Sequence, residues 1–311
     1  MYGFVFQALG TAGAILVLAL PAFAQSGISG VVAPDVEAEL VQDGYVFTEG
    51  PVGAPGGGLY FTDNRANTIL LLDPSGKISV THDNTTNANG LVLTKEGDIL
   101  AAEGVGKRIS KRSKSGGAGV TLTDSFDGKP FMAPNDLFVD ARGGIYFTDP
   151  GPRPVVPGRK TFVYYLAPGA KEPIVIDDQL GRPNGVILTA DGKTLLVNDS
   201  LVEAFFAYDV EPSGAVKNKR EFAKLRDIVA GKESGADGFA IDTAGRVYVA
   251  SVPGVQVFDA KGGYLGTIKT PKQSSNVAFA GPDRRVLYIT AREGLYRIKT
   301  LAQGVDRPAG K

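Results

Sequence analysis

Read as alternating apolar and polar positions, the chain breaks into short strands rather than helices. Runs such as Ile145-Tyr146-Phe147-Thr148, Thr161-Phe162-Val163-Tyr164-Tyr165 and Arg246-Val247-Tyr248-Val249 are β-branched and aromatic, with Gly, Pro, Asp or Asn nearby. After residue 24 no stretch holds an apolar 3.6-residue period long enough to displace the strand reading; 226–232 is the one connection with room for a helical turn. The strands also recur. Six times an acidic or amide residue introduces a short apolar strand: Glu49 (EGPV), Asn89 (NGLVL), Asn135 (NDLFV), Asn184 (NGVIL), Asp237 (DGFAI) and Asn276 (NVAFA), at spacings of 40, 46, 49, 53 and 39 residues. After a turn, a second strand rises each time: GLYFTD, DILAAE, GIYFTD, TLLVND, RVYVAS and RVLYIT. Third strands are expected at 68–73, 108–112, 162–167, 204–210, 254–259 and 294–298, and outer strands at 77–81, 119–122, 173–176, 219–222 and 264–269.

A four-stranded unit repeating at this period is a propeller blade. Only five outer strands follow their blades, so the segment 37–42 is expected to supply the sixth. It would pair with the third strand of the last blade and join the chain's two ends. The predicted fold is all-β, a six-bladed β-propeller closed by an N-terminal strand, as one domain over 25–311.

The first strand of each blade lines the central channel, so the six repeated positions converge on one ring. Two carboxylates (Glu49, Asp237) and four amides (Asn89, Asn135, Asn184, Asn276) facing one another are costly without a partner, and a bound cation removes that cost. Oxygen donors without His or Cys favour a hard ion, Ca²⁺ ahead of Mn²⁺ or Mg²⁺. Asn-Gly and Asp-Gly also form turns. Against that bland reading, Glu49 is a poor turn former in the same phase, Asn135 is followed by Asp136, and Asn276 by Val277. The second strands return to the same mouth, where Asp63, Glu103, Asp149 and Asp199 either cap loops or orient the ligating amides. The segment 150–160, with four prolines, lies on this face as a lid or a plain surface loop.

Composition narrows the function classes. Lys plus Arg and Asp plus Glu number 33 each, so no net field draws the protein to nucleic acid or anionic lipid. The basic run Lys107, Arg108, Lys111, Arg112, Lys114 is read as a solvated outer strand. Absence of cysteine excludes disulfides, thiolate catalysis and zinc-thiolate sites. Residues 4–24 are apolar and end in Pro21-Ala22-Phe23-Ala24, which resembles a secretory signal peptide cleaved after Ala24, although no Lys or Arg precedes it. Cleavage is favoured over retention as an anchor by the proline and small residues; either way the domain is expected outside the cytoplasm, periplasmic or secreted, with no membrane contact after cleavage. The sole histidine, His82, is assigned to a surface loop.

At these motifs the chain resembles the gluconolactonase, regucalcin (senescence marker protein) and luciferin-regenerating enzyme family. The segments that carry the resemblance are APNDLFVDARGGIYFTDP at 133–150, RPNGVILTADGKTLLVNDS at 182–200, ADGFAIDTAGRVYVA at 236–250 and SNVAFAGPDRRVLYITA at 275–291. It implies a six-bladed propeller with one divalent cation, generally Ca²⁺, and hydrolysis of sugar lactones. Carried over by position, it implies Glu49, Asn184 and Asp237 as metal ligands and Asp237 as general base or nucleophile. Asn135 would contact substrate or complete the metal shell, and Asn276 in its SNVAF context resembles the gluconolactonase branch. As the remaining ring members, Asn89 and Asn276 are assigned to substrate binding. The chain departs from the family at Ala133, where regucalcin-like members carry arginine, and after Glu103, where the histidine of many bacterial members is missing. The expected function is calcium-dependent hydrolysis of a lactone or related ester; a non-catalytic propeller that binds a ligand or a protein around a structural Ca²⁺ is the alternative.

Overall fold

The computed structural model describes residues 27–306, and the leader expected at 1–24 lies outside them. Six four-stranded antiparallel sheets and one small hairpin make up the described strands. In blades 1 to 5 the strand order from the channel outward follows the sequence, as in Thr48–Gly53, Leu59–Asp63, Thr68–Leu72 and Ile78–His82 of blade 1. The innermost strands of blades 2 to 5 are Ala88–Leu93, Leu137–Val139, Pro183–Leu188 and Phe239–Ile241. Blade 6 holds Asn276–Ala280, Val286–Ala291 and Gly294–Lys299, and takes its outermost strand from the other end of the chain. That strand, Glu39–Gln42, runs antiparallel to Gly294–Lys299 with Glu39 opposite Arg297 and Leu40 opposite Tyr296. The molecule is thus a six-bladed β-propeller closed by its N-terminal strand.

Blades packed face to face explain the burial. The second strands Leu59–Asp63, Ile99–Glu103, Ile145–Asp149 and Val247–Ser251 are buried at every residue, because neighbouring blades cover both of their faces. Outer strands such as Val216–Lys224 are mostly exposed. Apolar residues from three blades merge between the sheets: Phe138 and Tyr146 with Val186 and Phe205, and these with Phe239 and Phe258. Phe205 alone meets Phe239 and Phe258 at ring separations of 5.7 and 5.2 Å, so truncating it to alanine should cost about 3–5 kcal/mol.

The structure corrects four readings. A hairpin of Ser125–Phe126 and Lys129–Pro130, turning at Asp127-Gly128, lies between blades 2 and 3 where no strands were expected. The segment 226–232 is not helical and ends in a turn, Lys232 N donating to Val229 O at 2.9 Å. The basic run is solvated at Lys107 and Lys114, as expected, but it is not an outer strand and its arginines are not solvated alike. Arg108–Arg112 is the third strand of blade 2, and its alternation turns Arg108, Ser110 and Arg112 toward the buried Glu103, each with a donor at 2.6 Å from that carboxylate. His82 is not in a loop: it ends the outer strand of blade 1, buried, with Nε2 donating to the Ser113 carbonyl at 2.9 Å and so tying blade 1 to blade 2. Among the described residues no helix is long and apolar enough to cross a membrane.

Candidate functional site

The repeated positions share one structural place. Glu49 lies opposite Thr62 and Asn276 opposite Thr290, while Asn135 N and Asp237 N donate to Thr148 O and Ala250 O at 2.9 Å. Second-strand side chains reach on to the next blade. Thr62 Oγ1 donates to Asn89 O at 3.1 Å, Thr148 Oγ1 to Asn184 O at 2.7 Å, and Asn198 Nδ2 to Asp237 O. Ring positions are therefore stitched blade to blade through their carbonyls. This explains the glycine that follows so many of them. A Cβ on Gly50 would overlap Asn89 O, and one on Gly185 would overlap Asp237 O. Glycine is there for close approach between blades rather than for a turn.

Five of the six residues, Glu49, Asn89, Asn135, Asn184 and Asp237, line one cavity of about 470 Å³ at the mouth of the channel. Asn276 does not line it. Buried at 1 % exposure, it donates from Nδ2 to Glu49 Oε2 at 3.3 Å and accepts Val277 N on Oδ1, so it braces Glu49 from behind. Gly50 N adds a second donor to the same oxygen at 3.0 Å.

Asn184 supplies the test of a metal. Ser200 Oγ donates to Ala236 O at 2.7 Å, which leaves it able to accept from Asn184 Nδ2 at 3.1 Å. The amide's other end, Oδ1, is then buried with no partner in the protein, a cost of about 1–3 kcal/mol. With Glu49 and Asp237 on the same cavity, an orphaned carbonyl oxygen fits a hard cation. Among the described residues no cluster of three or more His, Cys, Asp or Glu forms a ready metal cage. A cation here must draw on amide oxygens, which suits Ca²⁺ better than zinc.

The remaining walls are residues the sequence reading did not assign: Phe47, Arg153, Arg182, Ser200, Glu233, Gly235, Val252, Gln273, Ser274, Ser275 and Arg292. Arg182 stands two residues before Asn184 within the quoted RPNG motif, so its address was visible although its duty was not. It is 7 % exposed, and burial lowers its pKa from the usual arginine value. The segment 150–160 reaches the mouth: Arg153 lines the cavity and grips Glu233 across it, with Nη2 to Oε2 at 2.8 Å. Of the two roles foreseen, three of the four strand-end carboxylates take the first and none hydrogen-bonds a ligating amide; Glu103 instead gathers Arg108, Ser110 and Arg112. Asp63, Asp149 and Asp199 cap loops, taking the backbone N–H groups of Val46 and Phe47, Met132 and Ala133, and Gly181 and Arg182. Burial raises the pKa of Asp149, against these donors. Asp199 positions Asn184 only through the backbone of Arg182. At its other end the channel opens into a cavity of about 610 Å³ walled by Gly53 to Gly57, Ala240, Ala278 to Pro282, Arg284 and Val305 among others; its two carboxylates, Glu96 and Asp306, lie outside the repeated ring positions.

Comparison with known proteins places this geometry. A gluconolactonase of Zymomonas mobilis is 26 % identical over 292 residues, covering 86 % of this chain and 82 % of its own length. A pentonolactonase of Haloferax volcanii is 26 % identical, covering 79 % and 81 %. The solved structure of a gluconolactonase from Xanthomonas campestris superposes with a TM-score of 0.76 at 27 % identity, over 88 % of this chain and 91 % of that one. Residues 47–293, from the Phe47 wall of the cavity to the turn after Arg292, match the model of the SMP-30/gluconolactonase/LRE-like region, and the chain belongs to that family.

Proposed function

We propose that this chain is a calcium-dependent lactone hydrolase, gluconolactonase-like, which opens a sugar lactone or another hydroxy-acid lactone outside the cytoplasm once its leader is removed. The observation that carries this reading is the convergence of Glu49, Asn135, Asn184 and Asp237 on one cavity, with Asn184 Oδ1 buried and unpartnered. Similarity to lactonases across most of the chain supports it. Glu49, Asn184 and Asp237 would hold the cation, with Asn135 available to complete the shell; Ca²⁺ suits this donor set ahead of Mn²⁺ or Mg²⁺. When bound, the cation supplies Lewis-acid polarisation of the ring carbonyl.

The protein's own groups do the rest. Asn135 orients the carbonyl, Asn89 hydrogen-bonds the ring substituents, and Asn276 holds Glu49 in place. Asp237 accepts a proton from water as the water oxygen bonds to the carbonyl carbon. The ring C–O bond then breaks, and the ring oxygen takes that proton back from Asp237 to become the hydroxyl of the open hydroxy acid, which leaves Asp237 ionised again. A carboxylate beside a cation is a weak base, and the reactivity of a ring ester makes a weak base sufficient. Acid release from a panel of lactones, before and after chelation, tests the whole reading. Turnover should vanish with the chelator and return with Ca²⁺. Full metal occupancy with no turnover of any lactone or ester would end the hydrolase reading and leave a ligand-binding propeller.

A further inference from the structure

Three arginines face the same cavity, and hydrolysis of a neutral lactone gives them nothing to do. Arg153, Arg182 and Arg292 line it together with three carboxylates, Glu49, Asp237 and Glu233. Glu233 is already engaged, held by Arg153 through both terminal nitrogens, at 3.3 and 2.8 Å. Glu49 and Asp237 are the carboxylates assigned to the cation. Asp237, Glu233 and Asp199 attract Arg182 through space; its Nη1 donates to the Gly151 carbonyl at 3.2 Å, and Arg292 donates to Gln273 Oε1.

Arg182 is the more informative of the two. It is more than nine-tenths buried, and its Nε has no acceptor at all. A guanidinium enclosed in this way is costly until an anion meets it, and its planar fork of N–H groups matches a carboxylate with two parallel bonds. Arg292, from blade 6, lies over the Phe47 ring at 5.7 Å, an arrangement that leaves the edge of the guanidinium able to donate. Charge points the same way. The three arginines and three carboxylates balance, so a divalent cation leaves two positive charges in excess inside about 470 Å³, and that excess attracts an anion.

We propose that Arg182, assisted by Arg292, forms an anion subsite, and that the preferred substrate is a lactone that keeps a free carboxylate, such as the monolactone of a dicarboxylic sugar acid. This rests on the lactone-hydrolase reading and names its substrate class. The arginines touch the spare carboxylate and not the reacting carbonyl, so they set specificity.

D-Glucono-1,4-lactone and D-glucaro-1,4-lactone differ at one carbon, a hydroxymethyl group in the first and a carboxylate in the second. With the calcium-loaded protein, kcat/KM should be about 10- to 100-fold higher for the carboxylate-bearing lactone. The ratio should fall to near one in Arg182→Gln and shrink as salt is raised. Should Arg182→Gln fail to fold, Arg292→Gln, altered at the exposed rim, should lower the ratio by about threefold or more. A ratio of one or below in the unaltered protein, or a ratio unmoved by the variants, overturns the proposal; arginines that merely anchor the 150–160 loop would slow both lactones alike. If neither lactone is turned over, the hydrolase reading falls by itself, and calorimetry then reads the subsite. Glucaro-1,4-lactone binding at least tenfold tighter than its neutral counterpart, and weaker in Arg182→Gln, supports it; equal binding of the two overturns it.

Discussion

The two ends of the channel are built from the same six inner strands, and a carboxylate in a far-end turn fares differently from one at a near-end strand entry. At the far end Asp140 and Asp242 are buried, and local donors engage them. Asp140 takes Arg142 N, Gly144 N, the Arg142 guanidinium and Tyr165 OH; Asp242 takes Ala244 N, Arg246 N, Arg246 Nε and Tyr248 OH. For Asp140 the upward push of burial is overcome by these bonds, and its pKa is held below the usual value. At the near end Glu49 and Asp237 face the cavity; the backbone beside Asp237 is committed between strands and blades, Asp237 N to Ala250 O and Gly238 N to Ser275 O, while Glu49 takes Gly50 N and Asn276 Nδ2 on one oxygen. Place within the repeat, rather than burial, decides what a carboxylate is for. Those in the turns are absorbed by the fold, while those at strand entries are held toward the channel.

Asp237→Asn breaks this contrast hardest. The amide keeps an oxygen for the cation and loses basicity, so kcat should fall by about 10²–10⁴ with melting temperature and Ca²⁺ binding retained; a retained rate would place the base elsewhere. Next comes Glu103→Ala, which probes a near-end carboxylate that the fold does absorb. Glu103 is fully buried and Arg112 is 1 % exposed, so the truncation leaves a buried guanidinium unpaired and should cost about 3–5 kcal/mol in urea denaturation. A loss well under 1 kcal/mol would refute that distinction.

Acid sharpens the same point by a smaller amount. Burial pushes the Glu103 pKa up, but hydrogen bonds from Ser110, Thr86, Arg108 and Arg112 outweigh it and hold the folded value below the usual 4.5. Folding therefore favours the ionised form. The stabilisation is whole above about pH 5 and is lost as pH falls through 4.5 and beyond. Stability measured from pH 6 to pH 3 should decline more steeply in the unaltered protein than in Glu103→Gln. The smallest effect belongs to the far mouth. Arg284→Ala removes a partly exposed pair with Asp306, and lactone turnover should stay within about twofold, with at most about 1 kcal/mol of stability lost. A large loss of rate there would move the functional end of the channel.

Much of this architecture was legible in the sequence because repetition made it so. Six strand entries in one phase give the ring, and the segment near residue 40 had to close the sheet left one strand short. What escaped was contact between repeats. Asn198 reads as the end of a strand in TLLVND, yet it clasps Gly185 N and Asp237 O across two blades. Arg182 sat in a quoted motif without a role, because nothing local distinguishes a guanidinium that faces a cavity from one that faces solvent. The basic run misled for a related reason. Its charges come in adjacent pairs, Lys107-Arg108 and Lys111-Arg112, so they fall on both faces of the strand, and the carboxylate that gathers Arg108 and Arg112, Glu103, belongs to the preceding strand. His82 was misplaced because its partner, the Ser113 carbonyl, lies in the next blade.

The closing strand has a consequence for how the chain folds. Arg297 Nε meets Glu39 Oε2 across 258 residues, so the last blade cannot form until nearly the whole sequence is available. Its pairing carries one of the longest loop-closure costs the chain can incur, which makes ring completion a late event and the open ring, with two unpaired edges, the state most exposed to aggregation. The same seam makes the protein a natural subject for circular permutation. Joining the ends and cutting an exposed outer turn would trade this long-range closure for a local one, quickening assembly while leaving the ring of channel residues untouched.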